Sequence, residues 1–223
     1  MSDSILIWVM RLVIVLIALT FHEVAHGFIA YKLGDPTAKM TGRLSLNPLV
    51  HLNPIGFLCM LIFGFGWAKP VPIFARNFKN PKRGMAITAL AGPLSNLLLA
   101  LLATLITTIL GQLTFQSENL IFRVASAAYL FFQLMALLNI SLAIFNLIPI
   151  PPLDGSRILT IFLPPKAYFR FMRYEQYIGI GFLIFLTLDS RIGLGITDRI
   201  LGASVSFVYN GMCQLWGLLP FIK

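Results

Sequence analysis

The feature that most constrains this chain is a series of apolar runs long enough to cross a lipid bilayer. The hydrocarbon core of a bilayer is about 30 Å thick, which requires about 20 helical residues. Long apolar runs cover residues 5–31, 84–110 and 120–148, and weaker ones cover 174–188 and a segment that ends at Pro220. We therefore expect an all-α polytopic membrane protein with about five transmembrane helices.

The composition excludes several other classes of protein. Hydrophobic residues make up 58% of the chain and charged residues 11%, and the mean hydropathy is +0.86, which does not fit a soluble enzyme. The strands of a membrane β-barrel would be about 10 residues of alternating polarity, unlike these continuous runs. The net charge of +9 is typical of basic loops that flank membrane spans, so we expect a lipid bilayer and no nucleic acid as partner.

The segments between the spans are short, so the membrane part must carry the function. Residues 37–54 are rich in turn formers and predict a short membrane-associated hairpin or loop. Residues 55–66 are apolar but contain three glycines and are too short to span, which favours a re-entrant segment. No soluble domain is visible, and we treat residues 1–223 as a single membrane-embedded domain.

The loop charges predict how the chain is oriented. Cytosolic loops of membrane proteins carry an excess of Lys and Arg. With the N-terminus outside, most of the loop cations face the cytosol, namely Lys32, Lys39, Arg43, Lys69, Arg76, Lys79, Lys82, Arg83, Arg157, Lys166, Arg170 and Arg173. We therefore expect a multi-pass protein of the cell membrane, in which the first helix delivers its C-terminal end toward the cytosol.

That C-terminal end carries an H-E-x-x-H pattern, His22-Glu23-Val24-Ala25-His26, inside an apolar helix. The two histidines lie one turn apart on the same face and can share a zinc ion, and Glu23 is placed to take a proton from an attacking water. The alternative is two core histidines bonded to the backbone, with Glu23 reaching toward the interface. It is less favoured, because a carboxylate inside a membrane helix needs a partner.

A hydrolytic zinc site requires a third protein ligand, and Asp154 is the best candidate. It follows an apolar span and a proline cluster on the same predicted side as His22 and His26. The alternative is a helix cap, because Asp before Gly-Ser-Arg and an apolar run is a good N-cap. The nearby histidine pair favours the ligand.

Two motifs together resemble the site-2 protease family of intramembrane zinc metalloproteases. HEVAH matches the H-E-x-x-H signature, and residues 146–155, NLIPIPPLDG, match N-x-x-P-x-P-x-L-D-G at every fixed position. The segments AGPLSN at 91–96 and GRLSLNPLVHLNP at 42–54 resemble the compact branch of the family that lacks a PDZ domain. The similarity covers residues 20–165, and the C-terminal spans are less diagnostic.

The resemblance implies one Zn²⁺ per chain, held by His22, His26 and Asp154, with Glu23 as the catalytic base. It implies an intramembrane endopeptidase acting on transmembrane protein substrates in regulated intramembrane proteolysis. The loop charges predict that the zinc site lies toward the cytosol. Asn146 and His51 are candidates for positioning the substrate, with helix-end capping and a structural loop bond as their alternatives. An inactive scaffold or a metal-ion transporter is the competing function, and the oligomeric state is left open.

Overall fold

The computed structural model describes residues 2–54, 56, 69–113 and 120–219, and these residues form helices and loops without a β-strand. The helices are α1 (Ser2–Lys32), α2 (Thr37–Met40), α3 (Pro48–His51), α4 (Pro81–Gly111), α5 (Leu120–Leu147), α6 (Asp154–Leu159), α7 (Pro165–Ile192) and α8 (Ile196–Gly217). A 3₁₀ turn covers Ala75–Asn77. The predicted all-α fold is confirmed.

Three of the helices are long and apolar enough to cross a membrane: α1 from Ser4 onward, α4 and α5. They coincide with the three long apolar runs of the sequence. The two further spans of the predicted five correspond to α7 and α8, and that count stays a prediction. The re-entrant segment expected at 55–66 lies, apart from Gly56, outside the described residues.

Helix α4 exposes large apolar side chains and buries small and polar ones, which is the reverse of a helix in a water-soluble protein and suits a lipid environment. Its exposed face carries leucines at four-residue intervals, Leu94, Leu98 and Leu102. Its buried face carries small and polar residues at the same interval, namely Thr88, Gly92, Asn96, Ala100 and Thr104. Small residues let helix backbones approach closely in a membrane, and α1 and α5 pack on this face.

Helix α8 packs on the half of the bundle formed by the C-terminal part of α4 and the middle of α5. Val205 packs against Ala100 of α4 and Ile140 of α5 in one buried cluster. The indole Nε1 of Trp216 donates a hydrogen bond to Thr104 Oγ1 at 3.0 Å. These contacts tie the last described helix to α4 and α5, away from the end of the bundle where the histidines lie.

The segment at 37–54 forms two single helical turns, α2 and α3, joined by a loop, and not a hairpin of strands. The reason for α3 is local: Pro48 occupies the first helical position, and the Asn47 side chain accepts a hydrogen bond from the Leu49 N–H at 3.0 Å. Both turns contact α1. The segment therefore covers the end of α1 that carries HEVAH.

Candidate metal centre

The two histidines of HEVAH meet in the interior of the bundle. His22 and His26 are 6% and 7% exposed, and their Nε2 atoms lie 2.9 Å apart. This follows from the four-residue interval, which brings side chains one above the other on the same helix face. Both rings therefore point an Nε2 atom at the same position.

Asp154 is far from the histidines in sequence, but its side chain reaches the same position. Its Oδ2 lies 3.1 Å from His22 Nε2 and 3.2 Å from His26 Nε2. Asp154 begins α6, but Leu153 is the N-cap, and the end of α6 has no side-chain capping hydrogen bond. The capping alternative is therefore wrong, and the carboxylate is directed at the two histidines.

A tight turn between α5 and α6 brings Asp154 into place. The next residue, Gly155, lies so close to the end of α5 that a Cβ there would be 2.2 Å from the carbonyl oxygen of Leu147. No side chain fits that approach, which explains the glycine of the LDG sequence. The proline-rich connection at 148–153 thus folds back on α5 and presents Asp154 to α1.

The three side chains form a donor set that fits zinc. Their ligand atoms all lie within 4.8 Å of one another, and no other such group of His, Cys, Asp and Glu occurs in the described part of the chain. Zinc bonds of about 2.0–2.1 Å in a tetrahedron separate neighbouring ligand atoms by about 3.3 Å, close to the observed distances. Two imidazole nitrogens and a carboxylate oxygen this close repel one another unless a cation or a proton lies between them.

Helix α4 supports the histidines from behind. His26 Nδ1 lies 2.7 Å from the carbonyl oxygen of Thr88, and a carbonyl can only accept, so Nδ1 carries the hydrogen and Nε2 keeps its lone pair for a metal. Gly92 lies directly against both rings: a Cβ there would be 2.4 Å from His26 Nε2 and 2.5 Å from His22 Nε2. The sequence includes Gly92 in the AGPLSN segment but does not predict its contact with the histidines.

Glu23 lies beside the histidines and has a partner that the sequence did not predict. Its Oε2 accepts a hydrogen bond from the backbone N–H of Val71 at 2.9 Å. Val71 belongs to a non-helical stretch, residues 69–74, that precedes the 3₁₀ turn. The partner that a carboxylate in this helix requires is therefore a backbone amide 48 residues away in the chain.

Asp35 fixes the same stretch just beyond the end of α1. It is fully buried and accepts hydrogen bonds from the Thr37 N–H, the Thr37 hydroxyl, the Phe74 N–H and the Asn77 amide. Burial alone would raise the pKa of the Asp35 carboxyl, but these hydrogen bonds outweigh burial and lower the pKa below its ordinary value. An Asp in a turn after α1 was the only feature of the sequence that pointed to this role.

The two residues predicted to position the substrate make hydrogen bonds within their own segments. His51 is 2% exposed, and its Nε2 lies 2.8 Å from the carbonyl oxygen of Ser45. The Asn146 amide donates to the carbonyl oxygen of Leu142 at 2.9 Å, within α5. Their roles toward a substrate stay predictions.

Two other carboxylates are engaged elsewhere. Glu175 of α7 pairs with Arg157 of α6 at 2.5 Å. Asp189 accepts from the backbone N–H groups of Ile196 and Thr197 at the start of α8. Neither belongs to the cluster of His22, His26 and Asp154.

A buried two-histidine, one-aspartate centre with a glutamate beside it, in a bundle of apolar helices, defines a zinc metallopeptidase of the membrane. Residues 10–186 match peptidase family M50, and the chain belongs to this family of site-2 proteases.

Named relatives agree with this assignment. The chain is 39% identical over 173 residues to the putative zinc metalloprotease YwhC of Bacillus subtilis, covering 78% of this chain and 76% of the relative. It is 31% identical over 178 residues to the putative zinc metalloprotease Rip2 of Mycolicibacterium smegmatis, covering 78% and 63%. It is 26% identical over 215 residues to the zinc metalloprotease MJ0392 of Methanocaldococcus jannaschii, covering 96% and 51%. No solved structure matches the chain.

Proposed function

We propose that this protein is an intramembrane zinc endopeptidase that hydrolyses peptide bonds within or near transmembrane helices, as in regulated intramembrane proteolysis. The observation that carries the proposal is the convergence of His22, His26 and Asp154 on one position, with Glu23 beside it on a membrane helix. A single membrane-embedded domain, residues 1–223, would contain all of the machinery.

Each residue then has one task in hydrolysis. His22, His26 and Asp154 would hold one zinc ion, which when bound supplies Lewis acidity toward the water and the scissile carbonyl. Glu23 takes a proton from the attacking water as the new C–O bond forms. It delivers that proton to the nitrogen of the leaving amine as the C–N bond breaks.

The location of the site determines what a substrate must do. The histidines belong to a helix with a membrane-spanning composition, and carbonyls of an intact substrate helix are bonded internally. A substrate helix must therefore unwind locally before one of its carbonyls can approach the zinc position. Loss of the internal hydrogen bonds makes this step costly in lipid.

We propose that the site faces the cytosol and that the N-terminus lies outside. The support is the distribution of Lys and Arg, which concentrates in the loops at the HEVAH end of α1. In a chain without Cys59 and Cys213, a membrane-impermeant thiol reagent should label Ser117→Cys in intact cells and not Lys79→Cys. The reverse pattern would invert the orientation.

The competing functions lack a comparable observation. A metal-ion transporter would place ionisable residues along several spans, whereas residues 84–110 of α4 contain none. An inactive scaffold would not require Glu23 next to the two histidines.

The function is tested by separating metal binding from turnover. The protein purified in detergent should contain about one zinc per chain and cut a transmembrane reporter. Glu23→Gln should keep the zinc and lose turnover, because an amide cannot accept the proton. Asp154→Ala should lose both, because it deletes a ligand.

The matched control is Asp198→Asn, an exposed carboxylate at the start of α8, which should change neither zinc content nor turnover. Full activity of Glu23→Gln would refute the hydrolytic assignment. Stoichiometric zinc in Asp154→Ala would mean that another residue is the third ligand.

A further inference from the structure

A stretch of chain that we call the strap, residues 69–77, runs along the cytosolic end of α1 and is attached by its backbone N–H groups. The Lys69 N–H donates to the carbonyl oxygen of His51 at 2.8 Å. The Val71 N–H donates to Glu23 Oε2 at 2.9 Å, and the Phe74 N–H donates to Asp35 Oδ2 at 2.7 Å. Two of these three acceptors are carboxylates, one in α1 and one in the turn after it.

The sequence of the strap excludes a shift of its register by one residue. Pro70 and Pro72 flank Val71, and proline has no backbone N–H. A shift of one residue in either direction would therefore place a proline opposite Glu23 and leave its carboxylate without this donor. Between residues 70 and 72, Val71 offers the single amide hydrogen.

Two further contacts hold that register. The Val71 side chain is buried and lies against Gly27, where a Cβ would be 3.2 Å from Val71 Cγ1. Asp35, fully buried, holds Phe74 and Asn77 at the other end of the strap.

We propose that the Val71 N–H is a positioning group for the catalytic base, and that Asp35 keeps it in place by fixing the register of the strap. This inference rests on the proposed function. A glutamate carboxylate turns easily about its last torsion. With Oε2 held by Val71, the other oxygen keeps a constant direction toward the attacking water, so less freedom is lost on reaching the transition state.

The test removes the amide hydrogen of Val71 and keeps the Val71 side chain. Val71 is replaced by the corresponding α-hydroxy acid, which converts its amide into an ester, and Val71→Pro serves as the encoded variant. Val71→Ala is the matched control, because it disturbs the packing against Gly27 but keeps the N–H. For each protein, kcat, KM and zinc content are measured on one transmembrane reporter.

We expect the ester and proline variants to lose about 10- to 100-fold in kcat, with one zinc per chain and KM within about twofold. Val71→Ala should lose less in kcat than the ester variant, because it weakens the packing that holds the register but keeps the N–H that Glu23 accepts. Asp35→Asn keeps the size of the side chain but replaces one of its two acceptor oxygens by an NH₂ donor, and it should show the same loss of kcat with unchanged KM and zinc content, to a smaller degree. It replaces the ester variant if that variant does not fold.

Each other outcome contradicts the inference. An ester variant with the kcat of the wild type would overturn it and leave the proposed function intact. A rise in KM alone, or a loss of zinc, would mean that the strap binds substrate or supports the fold. A wild-type protein that holds zinc and cuts nothing would overturn the proposed function, and the inference with it.

Discussion

At Gly92 the backbone of α4 lies directly against both histidine rings of the metal centre. A Cβ at this position would lie 2.4–2.5 Å from ring atoms of His22 and His26, well inside van der Waals contact. The rings are buried and are the proposed ligands, so they cannot turn away without losing the geometry of the site. A methyl group at Gly92 therefore acts directly on the metal position.

We predict that Gly92→Ala lowers zinc affinity by at least about 10-fold, as loss of ligand support does in other zinc proteins. The measurement is zinc competition with a chelator in detergent. Gly181→Ala in α7 is the control, because nothing lies within 4 Å of a Cβ there. Alanine favours the helix over glycine in both variants, so a loss of metal confined to Gly92→Ala must come from the contact with the rings. Equal affinities would contradict this account.

At the scale of residues, the sequence predicts the three proposed ligands but not the contacts that surround them. The interval of four between His22 and His26 is a local property of one helix, and Asp154 was found through the motif it belongs to. The supporting bonds join residues far apart in the chain: 62 positions separate His26 from Thr88, and 48 separate Glu23 from Val71. Such contacts depend on tertiary packing, which periodicity does not encode.

At the scale of elements, the weakest part of the site is α6, which carries Asp154. It has six residues, and a helix that short is not stable by itself. Its N-terminal end is fixed by the close approach of Gly155 to α5, and one turn later Arg157 pairs with Glu175 of α7. The ion pair is partly buried on both sides, which limits screening by solvent.

We predict that this pair holds the α6 helix, and with it the Asp154 carboxylate, against the histidines. Arg157→Met and Glu175→Gln should each weaken zinc binding by about 3- to 10-fold, and the double variant should be no weaker than either one. Arg170→Met, which removes an exposed cation from the same helix α7, should have no effect. Strictly additive losses in the double variant would show that the two residues act separately.

The elements also show where a sequence pattern is informative. The three long apolar helices were predicted because each apolar run has at least the roughly 20 residues that a helix needs to cross the hydrocarbon core of a bilayer. The 37–54 segment was harder, since its turn formers fit a hairpin as well as two helical turns. Asn47 and Pro48 favour a turn of helix locally. Contacts with α1 then stabilise both turns.

At the scale of the whole molecule, the proposed function requires that the bundle admit a substrate helix and that this helix unwind. The buried face of α4 is lined with small and polar residues, and large apolar side chains such as Leu94 and Leu98 face outward. A substrate helix in the membrane thus meets an apolar surface, while the metal centre lies in the interior. The cost of unwinding the substrate falls on the substrate itself, because each exposed backbone group in lipid costs several kcal/mol without a new partner.

We therefore predict that substrate helices that are already weak are cut faster. Gly, Pro, Asn or Ser near the scissile bond lowers the cost of leaving the helix, and Leu raises it. The experiment takes one cleaved transmembrane segment, replaces its helix-breaking residues by Leu, and keeps the residues that flank the scissile bond. Initial rates are compared at equal membrane insertion, with a Leu→Ile exchange at a helical position away from the cut as control. The Leu-substituted segment should be cut at least about 10-fold more slowly, which corresponds to about 1.4 kcal/mol of added unwinding cost; equal rates would mean that helix stability does not limit access to His22, His26 and Asp154.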